Sequence, residues 1–308
     1  MRRRQTRIHC GLVGERKLVG SRYLSKPELR QEYEAEIAPR TEAALRRILA
    51  QVGFPLGRPR RVLDLGAGTG AAGRAIRACL GEDVELVAVD KVPGPGILVA
   101  DVLRDVRPAG VSGRFDLIVS AHLLNELGAS LDLDRRARLV AGWCRNLLEP
   151  DGTCIAIEPA LRDTSRALLG VRDRLLAAGL HVAAPCFCQP ACPALQRERD
   201  WCHDSAEVLI AGRSRVDFSY LVLRQSAATA VDPSRCRVVS DPIKDKGRLR
   251  FFVCGVAGRF ELMRLDRNRA AANQALDQAR RGDIIVLPNV AVHDDSIRIV
   301  ADTAVRIG

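Results

Sequence analysis

Two stretches of this sequence concentrate side chains able to do chemistry. One is a glycine-rich turn, Leu63-Asp64-Leu65-Gly66-Ala67-Gly68-Thr69-Gly70; the other is a run of thiols between Cys186 and Cys202. In the turn, Gly66, Gly68 and Gly70 alternate directly after an apolar strand and directly before a helical run. Missing side chains there let the backbone approach a nucleoside and let the following helix pack closely. A GxGxG alone is a weak signal, but the strand-turn-helix context it needs is present.

Three acids give the turn its direction. Asp64 stands two residues before the first glycine, where methyltransferases place a carboxylate near the methionine amino group of their cofactor. Asp90 ends the next strand, twenty residues after Gly70, and is placed to accept both ribose hydroxyls. Asp101, in Val99-Ala100-Asp101-Val102, resembles the acid that faces the adenine. Asp90 and Asp101 are also compatible with plain strand ends, yet all three together predict a pocket for S-adenosylmethionine. Beyond the fourth strand comes Ser120-Ala121-His122-Leu123-Leu124-Asn125-Glu126-Leu127, so His122 and Asn125 are candidates to touch a methyl acceptor, or else they serve capping and packing. The NPPY-type tetrapeptide of base-N-methylating enzymes is missing, and no Pro-Cys stands directly after this strand to serve as a nucleophile; Pro185-Cys186 comes later. A cofactor pocket is therefore legible where a catalytic residue is not.

The thiols read Pro185-Cys186-Phe187-Cys188-Gln189-Pro190-Ala191-Cys192-Pro193, then Trp201-Cys202-His203. Such density among ten cysteines, with no secretory signal, predicts a reduced compartment and a metal site; buried structural thiols are the plainer reading. The spacing is neither that of a zinc ribbon nor of a ferredoxin. A fourth ligand is expected from a distance, and Cys254, ending a later strand, is the candidate beside Cys186, Cys192 and Cys202. Cys188 and His203 are spare ligands.

These residues need elements to hold them. Residues 1–59 read as a basic arm followed by helices, with Ser25-Lys26-Pro27-Glu28 as a helix start. Residues 60–231 alternate strand and helix, as a parallel sheet with right-handed crossovers requires, with 216–224 as an antiparallel edge strand. Residues 232–308 form a small β-rich domain interrupted by a helix over 269–281. The fold class is thus α/β: a Rossmann-like sheet of the class I methyltransferase kind, an N-terminal helical segment and a C-terminal β-rich domain. The net charge of +11 divides as +8 over residues 1–60, −2 over 61–232 and +5 over 233–308. Basic flanks around a near-neutral centre suit a polyanion held at the ends, or simple solubility. No apolar run reaches the roughly 18 residues of a membrane helix.

His-Leu-Leu-Asn-Glu-Leu at 122–127, Pro-Cys…Cys-Pro…Trp-Cys-His at 185–203 and Phe-Ser-Tyr-Leu at 218–221 resemble the ribosomal small-subunit methyltransferase-like family of mitochondria and bacteria, the methyltransferase-like protein seventeen type. Pro-Ile-Lys-Asp-Lys-Gly at 242–247, Cys254-Gly255 and Ser21-Arg22-Tyr23-Leu24 extend the resemblance along almost the whole chain. It implies a class I methyltransferase fold, binding to the small ribosomal subunit and its rRNA during assembly, and a 4Fe-4S cluster on Cys186, Cys192, Cys202 and Cys254, with zinc as the alternative metal. Cys188 is a departure from the family pattern that leaves the first ligand ambiguous by position. The resemblance further implies a protein of the bacterial cytoplasm or the mitochondrial matrix, monomeric away from the ribosome. Methyl transfer itself is not implied. An active rRNA methyltransferase and a small-molecule methyltransferase with structural zinc are the competing expectations.

Overall fold

Apolar runs mark strands covered on both faces, and three strands with such runs build the centre: β1 (Arg61–Leu65), β4 (Phe115–Ala121) and β5 (Leu148–Pro159), the last apolar over Cys154–Ile157. The computed structural model describes residues 6–55, 57–102, 106–127, 132–187, 191–210, 213–226, 232–288 and 296–308. Strand alternation sends Val62, Leu117, Val119, Ile155 and Ile157 to one face, beneath α3 (Ala38–Gln51) and α4 (Ala71–Leu80). Leu63, Ile118, Cys154 and Ala156 go to the other, beneath α6 (Leu133–Asn146) and α7 (Arg162–Ala177). Local signals bound these helices. Asp132 caps α6 by accepting from the Arg135 amide at 2.6 Å, and Gly81, at φ 96°, follows the last turn of α4.

The sheet is completed by β2 (Glu85–Asp90), β3 (Ile97–Val99), β6 (His181–Ala184), β7 (Asp204–Ile210) and β8 (Arg213–Arg224), in the order β3-β2-β1-β4-β5-β8-β6, with β7 paired to β8. Strands β1 to β5 are parallel, and β8 runs antiparallel to β5 and β6. β8 is therefore not the edge strand its sequence suggests. The four-residue β6 covers its far side, and a strand that short carries too little alternation to be read in advance.

A second sheet holds β9 (Arg235–Val238), β10 (Ile243–Asp245), β11 (Arg248–Gly255), β12 (Gly258–Leu265), β13 (Ile284–Val286), β14 (Ser296–Ile299) and β15 (Arg306–Ile307), around a core of Val238, Phe251, Val253, Leu262 and Ile285. The helix expected over 269–281 is replaced by 3-10 turns at Asp266–Asn268 and Ala271–Asp277. The alanine-rich composition favours a helix, but tertiary contacts capture its backbone. The Asn273 carbonyl accepts from Arg264 Nη1 at 3.0 Å, and the Asn273 side chain donates to the carbonyls of Asn268 and Val300, each at 3.0 Å.

The N-terminal segment folds over the first sheet. A short turn α1 (Arg7–His9), a following π-helical turn and α2 (Pro27–Glu36) bury Ile8, Leu12, Tyr23, Leu24, Leu29 and Tyr33 against Ala71 and Val92. Among the described residues no helix is long and apolar enough to cross a membrane.

Candidate cofactor cavity and cysteine cluster

Gly66 and Gly68 adopt φ of 77° and 58°, a left-handed backbone that costs a residue with a Cβ roughly 1–2 kcal/mol. They turn the chain at the C-terminal end of β1 and form one wall of a cavity of about 380 Å³. Asp90 and Asp101 line the same cavity. Asp90 is held by two amides: Gly68 N donates to Oδ2 at 2.9 Å and Val92 N to Oδ1 at 2.8 Å. Each oxygen keeps a second lone pair for a ligand hydroxyl.

Two of the six expected cofactor residues lie behind the cavity rather than in it. Gly70, at φ 82°, is the N-cap of α4. Asp64 is buried beneath the turn, where burial and then the Asp90 charge push its carboxyl up to about 7. The Gly73 amide offsets part of this shift without a well-aligned hydrogen bond, and both Asp64 oxygens lack a partner. A buried carboxylate without donors is costly, so Asp64 marks a place where a positive charge nearby would be welcome.

A second cavity, of about 260 Å³, adjoins the first, and Tyr23, Tyr33, His122 and Glu126 line both. His122 stands between β4 and the short helix α5 (Leu123–Glu126) with a φ of 61°, unusual for a residue with a side chain. Burial lowers its pKa to about 4, leaving a neutral imidazole, and its Nδ1 has no partner. Asn125 lines the second cavity only, its Oδ1 accepting from Arg16 Nη2 at 2.5 Å. Behind it Glu158 accepts from the Asn125 amide at 3.0 Å, and burial pushes its pKa to about 8.

Sequence reasoning missed Glu126 and the arm that it anchors. Gly20 N donates to Glu126 Oε2 at 2.7 Å and Tyr23 Oη to Oε1 at 3.2 Å, while Lys91 Nζ donates to the Gly20 carbonyl at 3.2 Å. Val19, Gly20, Ser21, Tyr23 and Leu24 thereby roof the first cavity. The signals existed, in Ser21-Arg22-Tyr23-Leu24 and in the glutamate of 122–127, but no local pattern pairs residues a hundred positions apart.

The thiols are gathered by α7 and its neighbours. Asp173 accepts from the Cys192 amide at 3.0 Å, and Arg166 donates to the carbonyls of Ala194, Arg197 and Asp200. Ser219, from Phe-Ser-Tyr-Leu, donates to the Cys202 carbonyl at 2.9 Å. Burial pushes the Cys202 thiol up to about 12, with the Cys186 and Cys192 sulfurs adding to the shift and Arg237 and Arg259 opposing it. Cys192 rises to about 11 by burial and then by Cys186. The side chain of Arg172 is fully buried beside them; burial disfavours its charge, but the Cys186 and Cys192 sulfurs and Asp173 outweigh that.

Cys254 enters from the second sheet, paired in register with Arg237 on β9 and Arg259 on β12. Directly paired residues share a sheet face, so Cys254 lies between the two arginines whose charges reach Cys202. This donor set suits an anionic thiolate-held group: three sulfurs in electrostatic range, a fourth on the facing sheet, and three arginines around them. Among the described residues, however, no three His, Cys, Asp or Glu side chains stand close enough together to hold a metal ion. His203 faces elsewhere, toward Arg281, Asp217, Arg215 and Asp241, with its ring stacked on Trp201. Cys188 lies outside the described residues.

No curated protein gives a significant match to the sequence. Solved structures similar to this chain include the N-methyltransferase NodS from Bradyrhizobium japonicum in complex with S-adenosyl-L-homocysteine, at 14% identity over 66% of this chain and 94% of that one, with a TM-score of 0.41. A TehB-like SAM-dependent methyltransferase from Corynebacterium glutamicum shares 20% identity over 65% and 95%, with a TM-score of 0.39. The parallel order, the glycine turn after β1 and the antiparallel β8 beside β5 make the first sheet a class I methyltransferase fold. The family profile described as mitochondrial small ribosomal subunit Rsm22 matches residues 29–285, and the chain belongs to that family.

Proposed function

We infer that this protein is a methyltransferase-like component acting on the small ribosomal subunit, which binds S-adenosylmethionine in its first cavity and rRNA through its basic flanks. One observation carries the reading. In a member of a small-subunit family, the two left-handed glycines Gly66 and Gly68 line one cavity together with the carboxylates Asp90 and Asp101, and the Gly68 amide holds Asp90 in place. Asp90 would take the ribose hydroxyls and Asp101 the adenine edge, while Asp64 acts from below the turn on the amino group. Work in subunit assembly or translation, in the bacterial cytoplasm or the mitochondrial matrix, belongs to the same reading, and the family's small-subunit description supports it.

On the same reading Cys186, Cys192, Cys202 and Cys254 hold a 4Fe-4S cluster. The coupled thiols, the buried Arg172 and the position of Cys254 between Arg237 and Arg259 support it. Bound there, such a cluster supplies iron–thiolate bonds between the two sheets, a structural role.

A second reading, active rRNA methylation, is favoured by the position of His122 on the wall shared by the two cavities. His122 and Asn125 would orient the acceptor, and catalysis would rest on positioning.

Calorimetry with S-adenosylhomocysteine and co-sedimentation with small subunits across a salt series test the proposal. Binding that weakens steeply with salt is expected from counterion release; salt-insensitive or absent RNA binding would leave the small-molecule methyltransferase reading. Anaerobic purification should give a brown protein with iron and sulfide. A colourless protein with stoichiometric zinc would replace the cluster by a zinc site.

A further inference from the structure

The second cavity is a site in its own right. Its volume, about 260 Å³, falls just below the roughly 300–1,000 Å³ typical of pockets for drug-sized ligands. That suits one flat ring system without sugar and phosphate. Tyr23 and Tyr33 from the N-terminal segment and Phe218 from β8 supply aromatic walls, and the tyrosine ring centroids are 6.1 Å apart. Polar groups interrupt the apolar lining at His122, Asn125 and Asp217. Aromatic faces joined to a few edge-directed polar groups are how proteins hold an unstacked base.

His122 fixes where a ring would sit. It belongs to both cavities, its left-handed backbone holds the imidazole on the shared wall, and its Nδ1 is unpartnered. Strained backbone of this kind persists where the surroundings enforce it, and it clusters at ligand sites. Since Arg16 engages the Asn125 carbonyl oxygen, the Asn125 side chain offers its amide as a donor. The Asn125 amide beside the neutral His122 ring gives the lining a polar edge, which suits a heteroaromatic ring better than a plain hydrocarbon.

We propose that this cavity receives a single heteroaromatic ring of nucleobase size, stacked on its aromatic walls and held against the wall shared with the cofactor cavity. The proposal deepens the RNA-binding reading above and rests on it for the source of the ring, a base displaced from its strand. His9, Leu12 and Val13 also line the cavity, so the N-terminal segment forms part of the surface that a ring would touch.

The test is a fluorescence titration of the full-length protein with 2-aminopurine, first as the free nucleoside and then within a short single-stranded RNA, both with S-adenosylhomocysteine at saturation. Stacking should quench the emission with saturable binding. Ala160 lines the second cavity and not the first, so Ala160→Phe should weaken that binding at least tenfold while leaving S-adenosylhomocysteine affinity unchanged. Phe218→Leu, checked for folding by its urea midpoint, should weaken it by a factor of roughly 5–150, the range for loss of one stacking partner. Quenching with RNA alone identifies a strand-borne base, and quenching with both probes adds free rings as a source; either supports the site. No quenching, quenching undiminished in both variants, or competition by S-adenosylhomocysteine would overturn it. If S-adenosylhomocysteine itself fails to bind, the cofactor reading falls, and the ring site is judged by the same titration without it.

Discussion

The carboxylate of Asp204, at the start of β7 in the first sheet, accepts from the guanidinium of Arg237, on β9 in the second, at 3.0 Å, and both side chains are almost wholly buried. The same guanidinium donates to the carbonyls of Pro185 and Gly282, each at 2.9 Å. One arginine therefore joins the first sheet, the loop that opens the cysteine run and the second sheet.

Removing one partner of this pair strands a buried charge. Arg237→Met should destabilise the protein by about 3–5 kcal/mol, read from urea unfolding at neutral pH. The double variant Asp204→Leu/Arg237→Met should recover much of that, since it leaves no charge unpaired. A single variant within about 1 kcal/mol of the parent would show that the pair does not hold the sheets together.

Glu158 gives a pH signature. Its folded pKa is raised from 4.5 to about 8, so the folded protein keeps a proton that the unfolded chain releases. Its contribution is fully present below about pH 4.5 and is lost as pH rises through about 8. Glu158→Gln retains an oxygen for the Asn125 amide and cannot ionise. Thermal unfolding should show the variant gaining on the parent from pH 5 to pH 9, by on the order of a few kcal/mol. Parallel stability curves would contradict this.

At the cofactor cavity, Gly66→Ala places a Cβ in a left-handed backbone, 3.1–3.2 Å from atoms of Leu123. Strain and crowding together should cost about 1–3 kcal/mol. S-adenosylhomocysteine affinity should fall at least tenfold by calorimetry. Unchanged affinity would remove Gly66 from the cofactor site.

Metal should be felt in the second sheet. When ligands come from two sheets, metal-binding free energy becomes folding free energy, so Cys202→Ser and Cys254→Ser should each lose iron and make residues 232–308 more susceptible to limited proteolysis. Cys79→Ser, at an exposed thiol on α4, serves as the control. Equal protease resistance in all three variants would defeat the cross-linking role.

How legible these features are in the sequence depends on the range of the interactions that make them. β1, β4 and the second half of β5 announce themselves because strands buried on both faces carry short apolar runs, Val62–Leu63, Leu117–Val119 and Cys154–Ile157. The glycine turn is legible because left-handed backbone selects glycine locally. β6 is too short to show a pattern, and the residues 269–281 follow Arg264 and Val300, not their own alanines. The cavity roof has no local signature at all, because Tyr23 and Glu126 meet only in the folded chain. The cysteine positions are legible, whereas the arginines that surround them come from β9, β12 and α7.

The roof has a kinetic consequence. Leu24 lies directly over the glycine turn, where a Cβ on Gly68 would stand 3.4 Å from its Cδ1, and the arm residues beside it are fastened chiefly through one carboxylate, Glu126. A ligand enclosed under this roof leaves only when those hydrogen bonds break. Its residence time then follows the opening of residues 19–24, and a single proton placed on Glu126 would shorten it.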